Sequence, residues 1–309
     1  MGQNTVGILL RYYRDTYQLQ QYEICKGICS CATLSRVEQG KREIDSLICE
    51  TLLSRIGKEA SQFEIMLDEE DYIKWKMRDK IKKLIKIGNI YELREAINEY
   101  EEIAEKDSSV HQQFILYAKI QALQIEQKVP EEICLMIDRA IRYTIEPGEK
   151  RRLYSHMEIE LIQQKIHYTV KKNYEEERKI INFLLEQVTA YYGKKEKNWL
   201  KIILLKELQN IEIKEGNDLK VLECLNNQIA VVREMKTVFP LANLYFERAR
   251  WTNKVYQSTE AWTKWKNNCV KDCLMAYYIY QIENDSKKEE QVEKYCTEVL
   301  GWHIIKQEI

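Results

Sequence analysis

Turn formers are scarce in this chain. It has 10 glycines and 3 prolines among 309 residues, well below the usual shares of about 7% and 5%. Collagen-like and Pro-rich disordered architectures are excluded, and what remains favours long helices joined by short connections. No run of apolar residues reaches the roughly 18 that a membrane-spanning helix needs. The opening residues MGQNTVGILLRYYRD lack the charged-then-apolar-then-small order of a secretory leader, so a cytoplasmic protein is expected. A surplus of one charge is also missing: the net charge is -1, with 31% charged residues of mixed sign. Bulk electrostatics therefore gives no nucleic-acid signal. Catalytic signatures are absent as well: no Gly-rich phosphate loop, no His-Glu-x-x-His and no nucleophile elbow. The His156 and Glu160 pair, spaced i, i+4, reads as a surface interaction. No enzyme, cofactor or metal is expected.

Cysteine is present, with nine residues, an odd number that cannot all pair internally. Cys25 with Cys29, and Cys269 with Cys273, are spaced four apart, which on a helix usually means plain core filling. Reduced thiols in a cytosol are the simple reading.

The most specific stretch runs from Leu19 to Arg42, LQQYEICKGICSCATLSRVEQGKR. It reads as two short helices with a tight turn between them. Ser30 suits the N-cap of the second helix, because its hydroxyl can accept from a free backbone N–H. Leu34 and Val37 form the apolar face of that helix, and Gly40 suits its C-terminal stop. Cys31, Ala32, Thr33, Ser35 and Arg36 share the other face. Small and polar side chains at the start of an exposed helix suit insertion into a DNA major groove. Residues 1–57 hold seven Arg or Lys against six Asp or Glu, so placement carries this reading, not charge.

The same residues carry a resemblance. Leu19-Gln20-Gln21-x-Glu23-Ile24-Cys25, Gly27-Ile28-Cys29-Ser30 and Leu34-Ser35-Arg36-Val37-Glu38-Gln39-Gly40-Lys41-Arg42 resemble the Xre/Cro-type helix-turn-helix. The version is most similar to that of the Rgg/PlcR/PrgX-type peptide-responsive regulators of Gram-positive bacteria. The motif spans Val6 to about Gly57. The resemblance implies a DNA-binding head followed by a tetratricopeptide-like helical domain that binds a short signalling peptide. It implies that Cys31, Ala32, Thr33, Ser35 and Arg36 face the groove. Gln20 and Gln21 would meet phosphate at a helix N-terminus, and Lys41 and Arg42 would hold the backbone electrostatically. Glu38 is expected to make an internal bond that fixes the helix.

Length suggests about two domains at roughly 150 residues each. We expect a helix-turn-helix domain over 1–67 and a helical-repeat domain over 71–309. In the head, Asn4 is expected to cap the first helix, and Ala60, Phe63, Met66 and Leu67 to form a fifth. Beyond it, breaks near 88, 130, 147, 193, 216 and 240 space the helices into pairs of about 40 residues, as in a right-handed tetratricopeptide-like solenoid. A last helix is expected over Lys287–Lys306. An irregular all-α bundle is the alternative.

Two further surfaces follow. Amide side chains can both donate to and accept from a peptide backbone. Gln163, His167, Gln209, Asn210, Asn243 and Glu247 recur on the first helices of successive pairs, where a concave binding face forms. The late apolar residues Trp262, Trp265, Leu274, Tyr277, Tyr278, Ile279 and Trp302 exceed the needs of a terminal repeat and point to a homodimer. The expected partners are thus an operator DNA, a signalling peptide and a second copy. The alternative is a helical-repeat interaction scaffold without peptide sensing.

Overall fold

The computed structural model describes residues 5–63, 67–149, 151–170 and 172–304. Among them there are only helices, turns and loops, with no strand. Four helices make the head: α1 (Thr5–Thr16), α2 (Gln21–Cys25), α3 (Cys31–Glu38) and α4 (Ser46–Arg55). Helices in pairs follow: α5 (Glu69–Ile87) with α6 (Ile90–Ile103), and α7 (Ser109–Ile125) with α8 (Pro130–Arg142). Then come α9 (His156–Tyr168), α10 (Tyr174–Tyr191), α11 (Lys194–Lys214), α12 (Asp218–Glu234), α13 (Phe239–Tyr256), α14 (Trp262–Glu283) and α15 (Ser286–Glu298). The helix ends follow local chemistry. Asp45, Asp68, Asn89 and Ser155 cap α4, α5, α6 and α9 by accepting from backbone N–H groups, and Pro130 occupies the first turn of α8.

Two expectations need correction. Where a fifth head helix was expected, the described residues form a single 3-10 turn, Ala60–Gln62. Phe63 is extended (φ −128°, ψ 146°), and its ring packs against Tyr13 at 6.3 Å. Packing on the head core thus replaces continuation of the helix. Asn4 and Met66 lie outside the described residues. The last helix ends at Glu298, where the Trp302 N–H donates to the Cys296 carbonyl at 2.9 Å and turns the chain back. Lys306 also lies outside the described residues.

The chain divides into two compact units. The first holds residues up to Asn173 together with Phe183–Glu196. Its core is continuous from head to repeats: Leu10, Leu34, Val37 and Leu52 belong to the same buried cluster as Ile81, Leu93, Tyr100 and Phe114. The second unit holds Tyr174–Asn182 and the chain from Lys197 on. Its core joins α12 to α15 through Val221, Leu225, Tyr245, Cys273, Tyr277 and Val292. Tyr277 and Ile279 are therefore core residues. Tyr278 and Trp302 stay 46% exposed.

Inside the first unit, two glycines allow the head to approach the repeats closely. At Gly27 (φ +75°), in the turn between α2 and α3, a Cβ would fall 2.0 Å from the Thr144 carbonyl oxygen; at Gly57 (φ +70°) it would fall 2.1 Å from that of Tyr191. No L side chain fits either place without moving backbone. The break expected at Gly193 is pinned here as well, its N–H donating to the Gly57 carbonyl at 3.1 Å.

Between these contacts lies a fully buried ion pair. Arg55, the last residue of α4, and Glu158, in the first turn of α9, are both 0% exposed. The guanidinium meets the carboxylate at 2.6 and 3.2 Å. It also donates to the carbonyls of Ile24 (2.9 Å) and Lys26 (2.5 Å). Removing one partner of such a pair strands the other charge, a loss of about 3–5 kcal/mol, whereas replacing both with apolar residues is often neutral. Arg55→Met should therefore destabilise the first unit by about that amount in chemical denaturation, and Arg55→Met with Glu158→Leu should recover most of it. A double variant as unstable as the single would contradict the stranded-charge account.

Candidate functional site

Helix α3 is amphipathic in the way its sequence suggests. Leu34 and Val37 are buried, while Cys31, Ala32 and Arg36 are exposed and Thr33 and Ser35 half-exposed. The Ser30 hydroxyl accepts from the Thr33 N–H at 3.0 Å. At the far end Gly40 takes φ +69°. On the outer face the Thr33 hydroxyl bonds with that of Ser30 at 2.9 Å and accepts from Arg42 Nη1 at 3.4 Å, Gln39 Nε2 donates to the Ser35 hydroxyl at 3.2 Å, and Cys31 Sγ lies 3.4 Å from Cys25 Sγ. Lys41 and Arg42 are exposed just beyond the helix.

The back of α3 is held rigidly. Glu38 is buried and accepts from Arg14 Nε and Nη2 at 2.8 and 3.1 Å, and from Gln21 Nε2 at 2.8 Å. The Glu38 hydrogen bonds keep the Arg14 guanidinium above its ordinary pKa, against a smaller opposing effect of burial. This is the internal bond expected of Glu38. It also gives Gln21 an internal role, since its amide nitrogen is engaged inside the head. Gln20 is exposed, and its N–H donates to the Glu23 carboxylate at 2.7 Å.

A second polar group lies behind α4. Asp45, its N-cap, accepts from the Leu47 and Ile48 N–H groups at 2.8 and 3.2 Å. The buried His111 on α7 places Nε2 3.0 Å from Asp45 and 2.9 Å from Glu105, with Nδ1 2.6 Å from the Tyr100 hydroxyl. Asp45, Glu105 and His111 thus bring three potential metal-ligand atoms within 4.8 Å of one another. Lys74 Nζ pairs with Glu105 at 2.5 Å, and the group forms a hydrogen-bonded joint between head and repeats in which Asp45 Oδ2 is buried without a hydrogen-bond partner. Sequence reasoning missed this joint and the Arg55–Glu158 pair alike. Their partners lie 66 and 103 residues apart, and no local pattern links them.

The amide-bearing residues of the repeats fall in both units. In the first, Gln163 is half-buried and His167 exposed on α9, the latter edge-on to Tyr168 at 5.0 Å. In the second, Gln209 is only 1% exposed. Its Oε1 accepts from Gln228 at 2.9 Å and its Nε2 donates to Glu247 at 3.0 Å. Gln209 therefore orients Glu247 and presents little to solvent. Asn210 is half-buried beside Glu207, and Asn243 is exposed near the Tyr280 hydroxyl at 3.3 Å. The sequence did not disclose a cleft of about 580 Å³ among α12, α13 and α14, lined by Asn226, Arg233, Tyr245, Arg248, Trp265 and Asn268. Arg248 is fixed there by Asp272 at 2.6 and 2.7 Å. Helical periodicity puts Tyr245 and Arg248 on the face of α13 opposite Asn243 and Glu247.

No protein-family profile matches the sequence, and no curated protein is detectably similar to it. Solved structures do match. PlcR of Bacillus thuringiensis, solved in complex with the peptide PapR7 and DNA, is 14% identical, with 93% of this chain and 98% of that chain covered at a TM-score of 0.54. The apo form of the competence regulator ComR from Streptococcus vestibularis is 15% identical, covering 96% and 98%, at 0.50. The chain shares their fold: all-α, a helix-turn-helix head followed by tetratricopeptide-like helical pairs.

His156, the first residue of α9, gives this region a pH signature. Its ring nitrogens lie 3.2 Å from Glu160 and 3.8 Å from Glu196. Burial disfavours the imidazolium, but the two carboxylates outweigh it and raise the pKa from 6.5 to about 9. A pKa raised by folding means stabilisation that is complete below about 6.5 and lost as pH climbs through about 9. Hydrogen exchange of the α9 amides, corrected for intrinsic rate, should accelerate across that window, and His156→Gln should flatten the rise. An equally steep rise in the variant would contradict the assignment.

Proposed function

We propose that the chain is a sequence-specific DNA-binding transcription regulator controlled by a short signalling peptide held on its helical repeats. One observation carries the reading. Helix α3 offers an exposed face of Cys31, Ala32, Thr33, Ser35 and Arg36, while Glu38 locks its back to Arg14 and Gln21. A helix fixed from behind that shows small and polar side chains in front suits base-edge readout. Gln20, Lys41 and Arg42 flank it and supply phosphate contacts; Gln21 contributes its remaining amide oxygen or none. The shared fold with PlcR, which was solved with a peptide and DNA, supports the same division of labour. In the first unit Gln163 and His167 are the candidate peptide contacts. In the second they are Asn210, Asn243 and Glu247, with Gln209 holding Glu247 in place.

No described helix is long and apolar enough to cross a membrane, and the regulator would act in the cytoplasm. Tyr278, Ile282 and Trp302 leave exposed apolar surface on the second unit, consistent with a homodimer placing two heads on two half-sites. The competing class is a protein-binding scaffold. A DNA regulator loses affinity steeply with salt and prefers one sequence; a scaffold does neither.

Thr33→Ala and Arg36→Ala should each weaken binding to the preferred duplex by about 1–3 kcal/mol without loss of fold, since neither side chain is in the core. Unchanged affinity in a folded double variant would remove α3 from the role of reader. For the peptide, calorimetry with short peptides encoded near the gene is expected to detect binding in the wild type. Asn210→Ala and Asn243→Ala should weaken it while peptide-free DNA binding persists. Bound peptide should shift DNA affinity by about 1–3 kcal/mol; no shift would leave a ligand-independent regulator.

A further inference from the structure

At the joint between head and repeats, two carboxylates converge on one nitrogen. Asp45 Oδ1 lies 3.0 Å from His111 Nε2, and Glu105 Oε2 lies 2.9 Å from it. The three ligand atoms fall within 4.8 Å of one another. A single N–H can point at one of these oxygens well or at both poorly. The chain's other histidine between two carboxylates divides them: His156 faces Glu160 through Nε2 and Glu196 through Nδ1. At His111 the second nitrogen is taken by the Tyr100 hydroxyl, 2.6 Å from Nδ1. Each side chain is also held from outside the cluster. Asp45 Oδ1 accepts from the Leu47 and Ile48 N–H groups. Lys74 holds Glu105 by its other oxygen, Oε1, and the Tyr100 ring stacks on that of His111 at 5.9 Å. Charge is out of balance here. Lys74 pairs with Glu70 and Glu105, and Arg78 with Glu50. Among the described residues, neither Asp45 nor Asp71 has a Lys or Arg ion-pair partner; Asp71 accepts from the Ser46 N–H and hydroxyl, and Asp45 Oδ2 is buried with no hydrogen bond. Burial, and then the nearby Asp45 charge, push the Asp71 carboxyl above its ordinary pKa against those Ser46 bonds.

We propose that Asp45, Glu105 and His111 form a site for a divalent transition-metal ion such as Zn2+, which clamps the head to the repeats. Imidazole and carboxylate are ligands that Zn2+ takes at about 2.0–2.2 Å. Tetrahedral geometry then sets them about 3.3 Å apart, a few tenths of an ångström beyond the separations already present. His111 Nε2 gives one lone pair, and Asp45 and Glu105 give one carboxylate oxygen each. The ring hydrogen then sits on Nδ1 and is donated to the Tyr100 hydroxyl, the kind of contact that orients a metal-bound histidine. Glu105 keeps Lys74 on Oε1 while Oε2 faces the ion. The double positive charge offsets the two carboxylates that lack a Lys or Arg partner. Asp45 caps α4 in the head, whereas Glu105 lies between α6 and α7 and His111 on α7, so the metal bonds cross the joint. The inference stands apart from the proposed function and does not need DNA binding.

The test uses the full-length reduced protein, titrated with Zn2+ in a chelator buffer. X-ray absorption of the one-equivalent complex should show one imidazole and oxygen neighbours, without sulfur. The amides of Leu47 and Ile48, at the start of α4, should exchange more slowly with the ion bound. Glu105→Gln, at a side chain 47% exposed, should keep the fold, weaken binding about tenfold or more and lose that protection. Glu102→Gln, an exposed neighbour, should behave as the wild type. No uptake, a shell containing sulfur, or equal affinity in Glu105→Gln overturns the site. The expected shell without slower exchange at Leu47 and Ile48 overturns the clamp. The shell and the amide pattern of the wild type decide the site even where a variant loses its fold.

Discussion

The first unit is organised around one buried charge pair. Arg55 and Glu158 leave water completely, a desolvation cost that attraction offsets only when every remaining donor and acceptor is used. That condition is met. Arg55 spends Nη1 on the Ile24 and Lys26 carbonyls. Glu158 accepts from the Ser155 N–H at 2.7 Å and from Arg151 at 3.3 Å. Burial alone would raise the Glu158 pKa; Arg55 and then Arg151 outweigh it and hold the carboxyl below its ordinary value. The consequence is geometric. The carbonyls at the end of α2, the close of α4 and the start of α9 are fixed to one another, and the turn that aims α3 is fixed with them. Gly27 and Gly57 let the backbones approach closely enough for this to happen.

Around that centre α3 is held by two kinds of contact. Behind it, Leu34 and Val37 enter a core shared with the repeats, and Glu38 is held by Arg14 and Gln21. In front, Thr33 and Ser35 bond at 2.9–3.4 Å to the exposed side chains of Ser30, Gln39 and Arg42. A rigid back with a polar front is what separates a recognition surface from ordinary solvent-facing polarity. The second unit uses the same economy: Gln209 is consumed in orienting Glu247, and Asp272 in orienting Arg248 beside the cleft.

What the sequence made legible was local. Ser30, Leu34, Val37 and Gly40 announced α3 because caps and helical periodicity act within a few residues. The helix pairs showed themselves through glycine and proline breaks. Non-local chemistry was hidden. Nothing near Arg55 points to Glu158, and nothing near His111 points to Asp45. Phe63 continued an apolar helical pattern, yet its ring found a better partner in Tyr13 and the helix stopped. Gln209 fitted a polar face by spacing, but neighbouring helices buried it. Cys25 and Cys29 read as core filling, and only the folded turn brings Cys31 to 3.4 Å from Cys25.

The central claim is that α3 reads base sequence from a head whose position the buried pair fixes. Selection from a random pool of duplexes by the full-length protein tests it most directly. The account predicts that the wild type enriches a single motif and that Thr33→Ala with Arg36→Ala, still folded, loses preference at particular base positions while retaining weak, salt-sensitive binding. The same motif recovered by both proteins, or no motif from either, would contradict it.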